Sequence, residues 1–197
     1  MSKKRSVNGR DFAPLENVRL ELERIQSEVP RSEQLFNHEF TETNLQKQLK
    51  SAPFFVVHLA THGEFSSNPE ETFILTWNQL LKVKDFDNLL RQRGSFGSSA
   101  IELLVLSACQ TAAGDKRATL GLAGVALRAG ARSTLASLWS LDDESSAVLM
   151  SQFYRELANT TVTKAEALRL AQVALLQNPR YQHPRYWAPF VLVGNWL

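Results

Sequence analysis

The chain has 197 residues, 44% hydrophobic and 21% charged, which is enough apolar material for one domain with a sizeable core. Its formal net charge of +2 gives no electrostatic case for nucleic acid as a partner, and the short basic run Met1–Arg5 reads as a solvated terminus. No stretch approaches the roughly 20 apolar residues that span a bilayer and no secretion signal opens the chain, so a cytoplasmic, membrane-free protein is expected.

Taken in chain order, Leu15, Val18, Leu22 and Ile25 repeat at helical spacing and predict a helix over Leu15–Val29, closed by Pro30. A short strand is expected around Gln34–Asn37. Thr43, with Gln46 three residues on, forms a capping box for a helix running to about Lys50. Pro53 then introduces Phe54–Ala60, a nearly continuous apolar run of the kind that forms a buried parallel strand. Similar runs follow at Ile101–Leu106, Ser133–Leu138 and Phe190–Val193.

A Gly/Ser-rich loop is expected over Arg93–Ser99, and Leu120–Ala129 reads as an apolar helix closed by Gly130. Gly121 and Gly124 suit close helix–sheet packing, since no Lys-Ser/Thr follows as a phosphate loop would require. Asp142 can cap a helix through Leu157, and Thr163 with Glu166 boxes another that runs to Gln177 and stops before Pro179. This alternation predicts an α/β fold, a mainly parallel sheet with helices on both faces.

In such sheets ligands gather beyond the carboxyl ends of the strands. Those ends carry Thr61-His62-Gly63, Ser107-Ala108-Cys109 and Trp139-Ser140-Leu141-Asp142-Asp143. Cys109 is the only cysteine, which excludes an intrachain disulfide and a cysteine-based zinc site. His38 and His183 lack metal-ligand spacing, and no metal or organic cofactor is expected. A thiol near an imidazole is instead the pattern of a nucleophile and its base. His62 would take the Cys109 proton and return it to a leaving amine, while the N–H groups of Gly63 and Cys109 could hold an oxyanion. His58 lies inside the apolar run and reads as a core or supporting histidine. Trp139, Tyr186 and Trp187 read as buried aromatics, with a substrate wall as the alternative.

An apolar strand ending in His-Gly, followed by one ending in Ala-Cys, resembles the caspase-like cysteine peptidases. The 47 residues from His62 to Cys109 (109 − 62) approach the roughly 50 typical of caspases. More narrowly, the blocks His58–Gly63, Leu106–Thr111, Ala136–Glu144 and His183–Phe190 resemble the CHAT domain, a bacterial relative of caspases and separases often found beside tetratricopeptide repeats. The resemblance implies a three-layer caspase-like fold over residues 35–197, after an N-terminal helical extension at residues 1–34. It also implies a His62–Cys109 dyad acting on protein or peptide substrates, with a repeat-containing protein as a further partner.

The caspase pattern Gln-Ala-Cys-x-Gly is here Ser107-Ala108-Cys109-Gln110-Thr111, so caspase specificity does not carry over. Separases, by resemblance, take arginine through acidic residues. Asp142 and Asp143, with Ser107, are the candidates for a pocket that prefers Arg, or else Lys, before the cut. The competing reading of Asp142 is a helix N-cap. CHAT domains usually carry more α/β structure before the histidine strand, whereas only about 50 residues precede Phe54 here. That departure keeps a second function open, a non-catalytic interaction module working with a partner chain. A nucleotide-binding domain ranks last, for want of a Gly-rich phosphate loop.

Overall fold

A computed structural model describes residues 4–52, 54–66, 68, 70–94, 100–107, 110–111, 124, 130–139 and 141–197. It opens with a hairpin that the sequence reading overlooked, β1 (Arg5–Val7) paired antiparallel with β2 (Arg10–Phe12). Asn8 and Gly9 form its two-residue loop with φ of 52° and 74°. Positive φ at both central residues is what a type I′ turn requires, and Asn-Gly meets it at least cost.

Helix α1 (Val18–Glu28) buries Val18, Glu21 and Ile25 along one face. The strand expected at Gln34–Asn37 does not form: that segment is irregular and ends in a 3-10 turn at Asn37–Glu39, entered through a left-handed Asn37 (φ 50°). Helix α2 (Glu42–Ser51) starts two residues earlier than expected. Its cap is Thr41, extended in backbone and accepting the Asn44 N–H at 3.2 Å; Thr43 already lies within the helix.

Strand β3 (Val56–Ala60) leads into β4 (Gly63–Phe65), β5 (Phe73–Leu75), β6 (Leu80–Lys82) and helix α3 (Val83–Gly94). Of the loop expected at Arg93–Ser99, Arg93 and Gly94 are helical, and the remainder lies outside the described residues. Strands β7 (Leu103–Ser107), β8 (Gln110–Thr111) and β9 (Ser133–Ser137) follow; the helix expected at Leu120–Ala129 lies outside the described residues, apart from Gly124. Helices α4 (Asp143–Leu157), α5 (Lys164–Gln177) and the short α6 (Pro184–Trp187) precede the last strand, β10 (Phe190–Gly194). Thr163 caps α5 as read from sequence, accepting the Glu166 N–H at 3.2 Å, but the Glu166 carboxylate turns to Arg169.

The sheet is mixed, which corrects the expectation of a mainly parallel one. In the order β10-β9-β7-β3, the strands β3, β7 and β9 run parallel while β10 is antiparallel to β9. The cause is the double helical return: α4 and α5, joined by the short Ala158–Thr163 link, bring the chain back to the end at which β9 exits. A second four-stranded sheet, β6-β5-β4-β8, is antiparallel except where β4 meets β8.

Alternation along the central strands feeds two cores. Val57, Leu59, Leu104, Leu106 and Ala136 pack with Leu45 and Leu49 of α2 and with Phe86, Leu89 and Leu90 of α3. Leu103, Val105 and Leu135 pack with Ile25 of α1, with Leu149, Met150 and Phe153 of α4, and with Ala167, Leu168 and Ala171 of α5. Burial of both sides explains why these strands are written as unbroken apolar runs. Among the described residues β3 is the sheet's edge, and a cavity of about 1120 Å³ opens beside it between α1 and residues 30–40.

Candidate functional site at the carboxyl rim of the parallel strands

Two parallel pairings fix the rim. Ala60, the last residue of β3, is in register with Ser107, the last of β7. Just beyond, Glu64 of β4 is in register with Gln110 of β8, and Phe65 with Thr111. The chain at 61–63 and the chain at 108–109 are thus bracketed by paired residues on both sides.

Thr61 pins the first of these segments. It is buried and donates its hydroxyl to the Leu75 carbonyl at 2.7 Å, while the His62 carbonyl accepts the Leu75 N–H at 2.8 Å. Gly63 is buried and faces Ile74 across β4 and β5. Ser107 is likewise buried, at the end of its strand. Cys109, expected as nucleophile and oxyanion donor, lies outside the described residues.

His62 projects past the strand end, only partly buried. Its Nε2 lies 2.7 Å from the Ala13 carbonyl oxygen, which can only accept, so Nε2 carries the proton in this contact. Phe12 packs against the imidazole with ring centroids 5.4 Å apart. Burial lowers the His62 pKa from its ordinary 6.5, opposed by the Ala13 carbonyl and the Asp143 carboxylate, both of which favour the imidazolium.

The two acidic candidates separate. Asp142 is the N-cap of α4, accepting the Ser145 N–H at 2.9 Å on its carboxylate and the Ser146 N–H at 3.0 Å on its carbonyl. Asp143, one residue on, instead accepts the Asn17 backbone N–H at 2.7 Å and the Asn17 side-chain N–H at 3.1 Å through one oxygen, Oδ2. Asp143 and His62 therefore share a neighbour, the segment Ala13–Asn17.

The other singled-out residues take structural places. His58 is buried, with Nε2 3.0 Å from Glu21 and Nδ1 3.1 Å from the Tyr154 hydroxyl, as a core histidine should be. His183 caps α6, accepting the Arg185 N–H, and His38 stacks edge-on near Trp77. Tyr186 and Trp187 are part-buried beside α4 and α5, but Trp139 is 38% exposed, against the burial expected of it. Among the described residues no group of three or more His, Cys, Asp or Glu is placed to hold a metal, and no helix is long and apolar enough to cross a membrane.

The sequence reading missed Ala13, Asn17 and Arg10, all of which touch this rim. Arg10 donates to Glu64 at 2.5 Å, with its guanidinium 5.2 Å from the Phe73 ring centre. The available signal was Asn8-Gly9, flanked on both sides by chain long enough to pair, which places a hairpin before α1.

The described residues form a mixed α/β domain with an imidazole at the rim of its parallel strands, beside an acidic helix start. The chain belongs to the CHAT domain family, whose family model matches residues 3–195, nearly its whole length. That family is caspase-like and related to the cysteine peptidases. No curated protein matches the chain.

Proposed function

We propose that the chain is a cysteine endopeptidase of three-layer caspase-like build that cleaves protein substrates after Arg, or less readily Lys. Cys109, as thiolate, attacks the scissile carbonyl carbon while its proton passes to His62. The tetrahedral oxyanion is held by the N–H groups of Gly63 and Cys109, donors of a kind each worth about 2.7–4 kcal/mol. Collapse expels the amine, which takes the proton from His62, and leaves a thioester. Water then hydrolyses the thioester with His62 again as base.

The observation that carries this reading is the double register, Ala60 with Ser107 and Glu64 with Gln110. In sequence, His62 and Cys109 each follow the first of these pairs by two residues. For the residue before the cut, Asp143 is the favoured carboxylate, because Asp142 is engaged as a cap. A carboxylate there can take the two-pronged fork of a guanidinium, one N–H to each oxygen.

The test is alkylation of Cys109 by an Arg-directed chloromethyl ketone, together with cleavage of paired peptides that differ only in Arg, Lys or Asp before the scissile bond. Rapid, pH-dependent labelling that collapses in His62→Ala supports the enzyme. Preference for the Asp peptide would sink the pocket assignment.

One observation favours a second reading, a non-catalytic module. The β3 edge is unpaired among the described residues and borders the apolar cavity beside α1, so a partner chain could add a strand there. Slow labelling of Cys109, unaffected by His62→Ala, would point to that role.

A further inference from the structure

We infer that residues 5–17 form an inhibitory strap, seated across the candidate catalytic face, that must lift before substrate enters; this rests on the peptidase reading above. Three contacts place the segment on groups the reaction would use. The Ala13 carbonyl accepts a hydrogen bond from His62 Nε2–H, so that nitrogen is not available to a thiol or a leaving amine. Phe12 covers the imidazole and also meets Phe73 edge-on at 6.2 Å. Asn17 donates two N–H groups to Asp143 Oδ2, an oxygen that a substrate guanidinium would need.

Five residues of main chain, Ala13 to Asn17, therefore bridge the candidate base and the candidate specificity carboxylate.

The hairpin ahead of them is the seat. Val7 is buried against Leu75 and Trp77, the Arg5 guanidinium lies 3.7 Å from the Trp77 ring centre and donates to its carbonyl at 2.8 Å, and Arg10 pairs with Glu64. These contacts lie to one side of the rim and fix the strap without using the reacting groups. The seat is also weak enough to reverse. It has one buried aliphatic side chain, Val7, and its ion pair to Glu64 is open to solvent, where such pairs contribute little. At the other end the strap is rooted firmly, since Asn17 leads directly into α1, which Glu21 ties to β3 through His58. The geometry is that of a short hinged arm with a releasable tip.

The experiment uses the full chain and the double variant Val7→Asp/Arg10→Glu. These changes put a carboxylate against Leu75 and reverse the charge facing Glu64, and touch neither His62, Cys109 nor Asp143. Hydrogen exchange over residues 5–17 reports whether the strap is seated. Diethyl pyrocarbonate modification of His62, mapped by peptide mass with exposed His183 as internal control, reports on the imidazole independently of any peptidase activity. The Arg-directed ketone reports on Cys109.

In the wild type, His62 should react more slowly than His183. In the double variant, residues 5–17 should lose protection, and both His62 modification and Cys109 labelling should rise several-fold. If His62 modification rises but the ketone still fails to label Cys109, the strap stands and the peptidase reading falls. If protection is lost without any change at His62, the strap proposal is overturned whatever Cys109 does. Equal reactivity of His62 and His183 in the wild type, or a strap that keeps its protection in the double variant, overturns it as well.

Discussion

Glu21 is the most informative single residue to remove. Its side chain is 2% exposed and it sits in the first turn of α1, with its Oε1 3.0 Å from His58 Nε2, whose other nitrogen meets the Tyr154 hydroxyl. Burial and the Glu21 carboxylate together push the Tyr154 phenol above its ordinary pKa, so the hydroxyl keeps its proton at any working pH. Glu21→Ala leaves the imidazole N–H buried without its acceptor, a change that typically costs about 1–3 kcal/mol. Glu21→Gln keeps an acceptor in place but replaces a charge-assisted bond of about 1.5–3 kcal/mol with a neutral one of about 0.5–1.5, a loss near 1 kcal/mol. Replacing both partners with leucine removes the unpaired groups altogether and should recover most of the Ala deficit. Urea unfolding monitored by tryptophan fluorescence gives all three values, and the double-mutant cycle isolates the pair. Because Asn17 precedes α1 directly, Glu21→Ala should also speed hydrogen exchange across residues 13–17. Equal losses for Ala and Gln, or an Ala loss below about 1 kcal/mol, would refute the claim that this network ties α1 to the sheet.

Other consequences follow from the same structure. Asp142→Ala should cost about 1 kcal/mol through loss of the α4 cap, read as a lower urea midpoint, while Asp142→Ser should retain most of the stability because its hydroxyl can accept the Ser145 N–H. Since burial holds the His62 pKa below 6.5, the unfolded chain binds the proton first as pH falls, so stability should drop from about pH 6.5 downward. His62→Gln should flatten that slope, and unfolding midpoints at pH 7.5 and 5 would show it; an unchanged slope would count against the burial of the imidazole. Phe153, fully buried where α4 meets the sheet, should cost about 3–5 kcal/mol when cut to Ala, measured the same way.

The central strands were legible because burial on both sides leaves an unmistakable mark. Leu103-Leu104-Val105-Leu106 has no polar residue, and its alternate side chains enter two different cores. The caps of α4 and α5 were legible for a local reason, since Asp142 and Thr163 need only their own next three residues to act. The second sheet was not read, because β4, β5 and β6 are three residues each, too short to show a period. The direction of β10 was not legible because an apolar run of five residues does not record which way it points. That is set by the paired return of α4 and α5 before it. The hairpin before α1 was readable from Asn8-Gly9, yet its role was not. Nothing in Phe12-Ala13 says that a main-chain carbonyl there will meet an imidazole 49 positions away.

His58 and His62 show why the rim, and not the strand, is where chemistry can collect. They are the same residue type four positions apart, on one β-strand and its exit. His58 lies within the strand, where neighbouring helices claim the space on both sides; its two nitrogens are spent on Glu21 and Tyr154, and it serves to hold α1 in place. His62 lies two residues past the last strand position, where the sheet no longer buries it, and its Nε2 meets only a carbonyl of the movable N-terminal segment. A buried pair that must be broken to react costs several kcal/mol before any bond is made. A single hydrogen bond to a main-chain carbonyl costs about 0.5–1.5 kcal/mol to exchange for another partner. The difference decides which histidine is available for proton transfer, and it follows from where the strand stops.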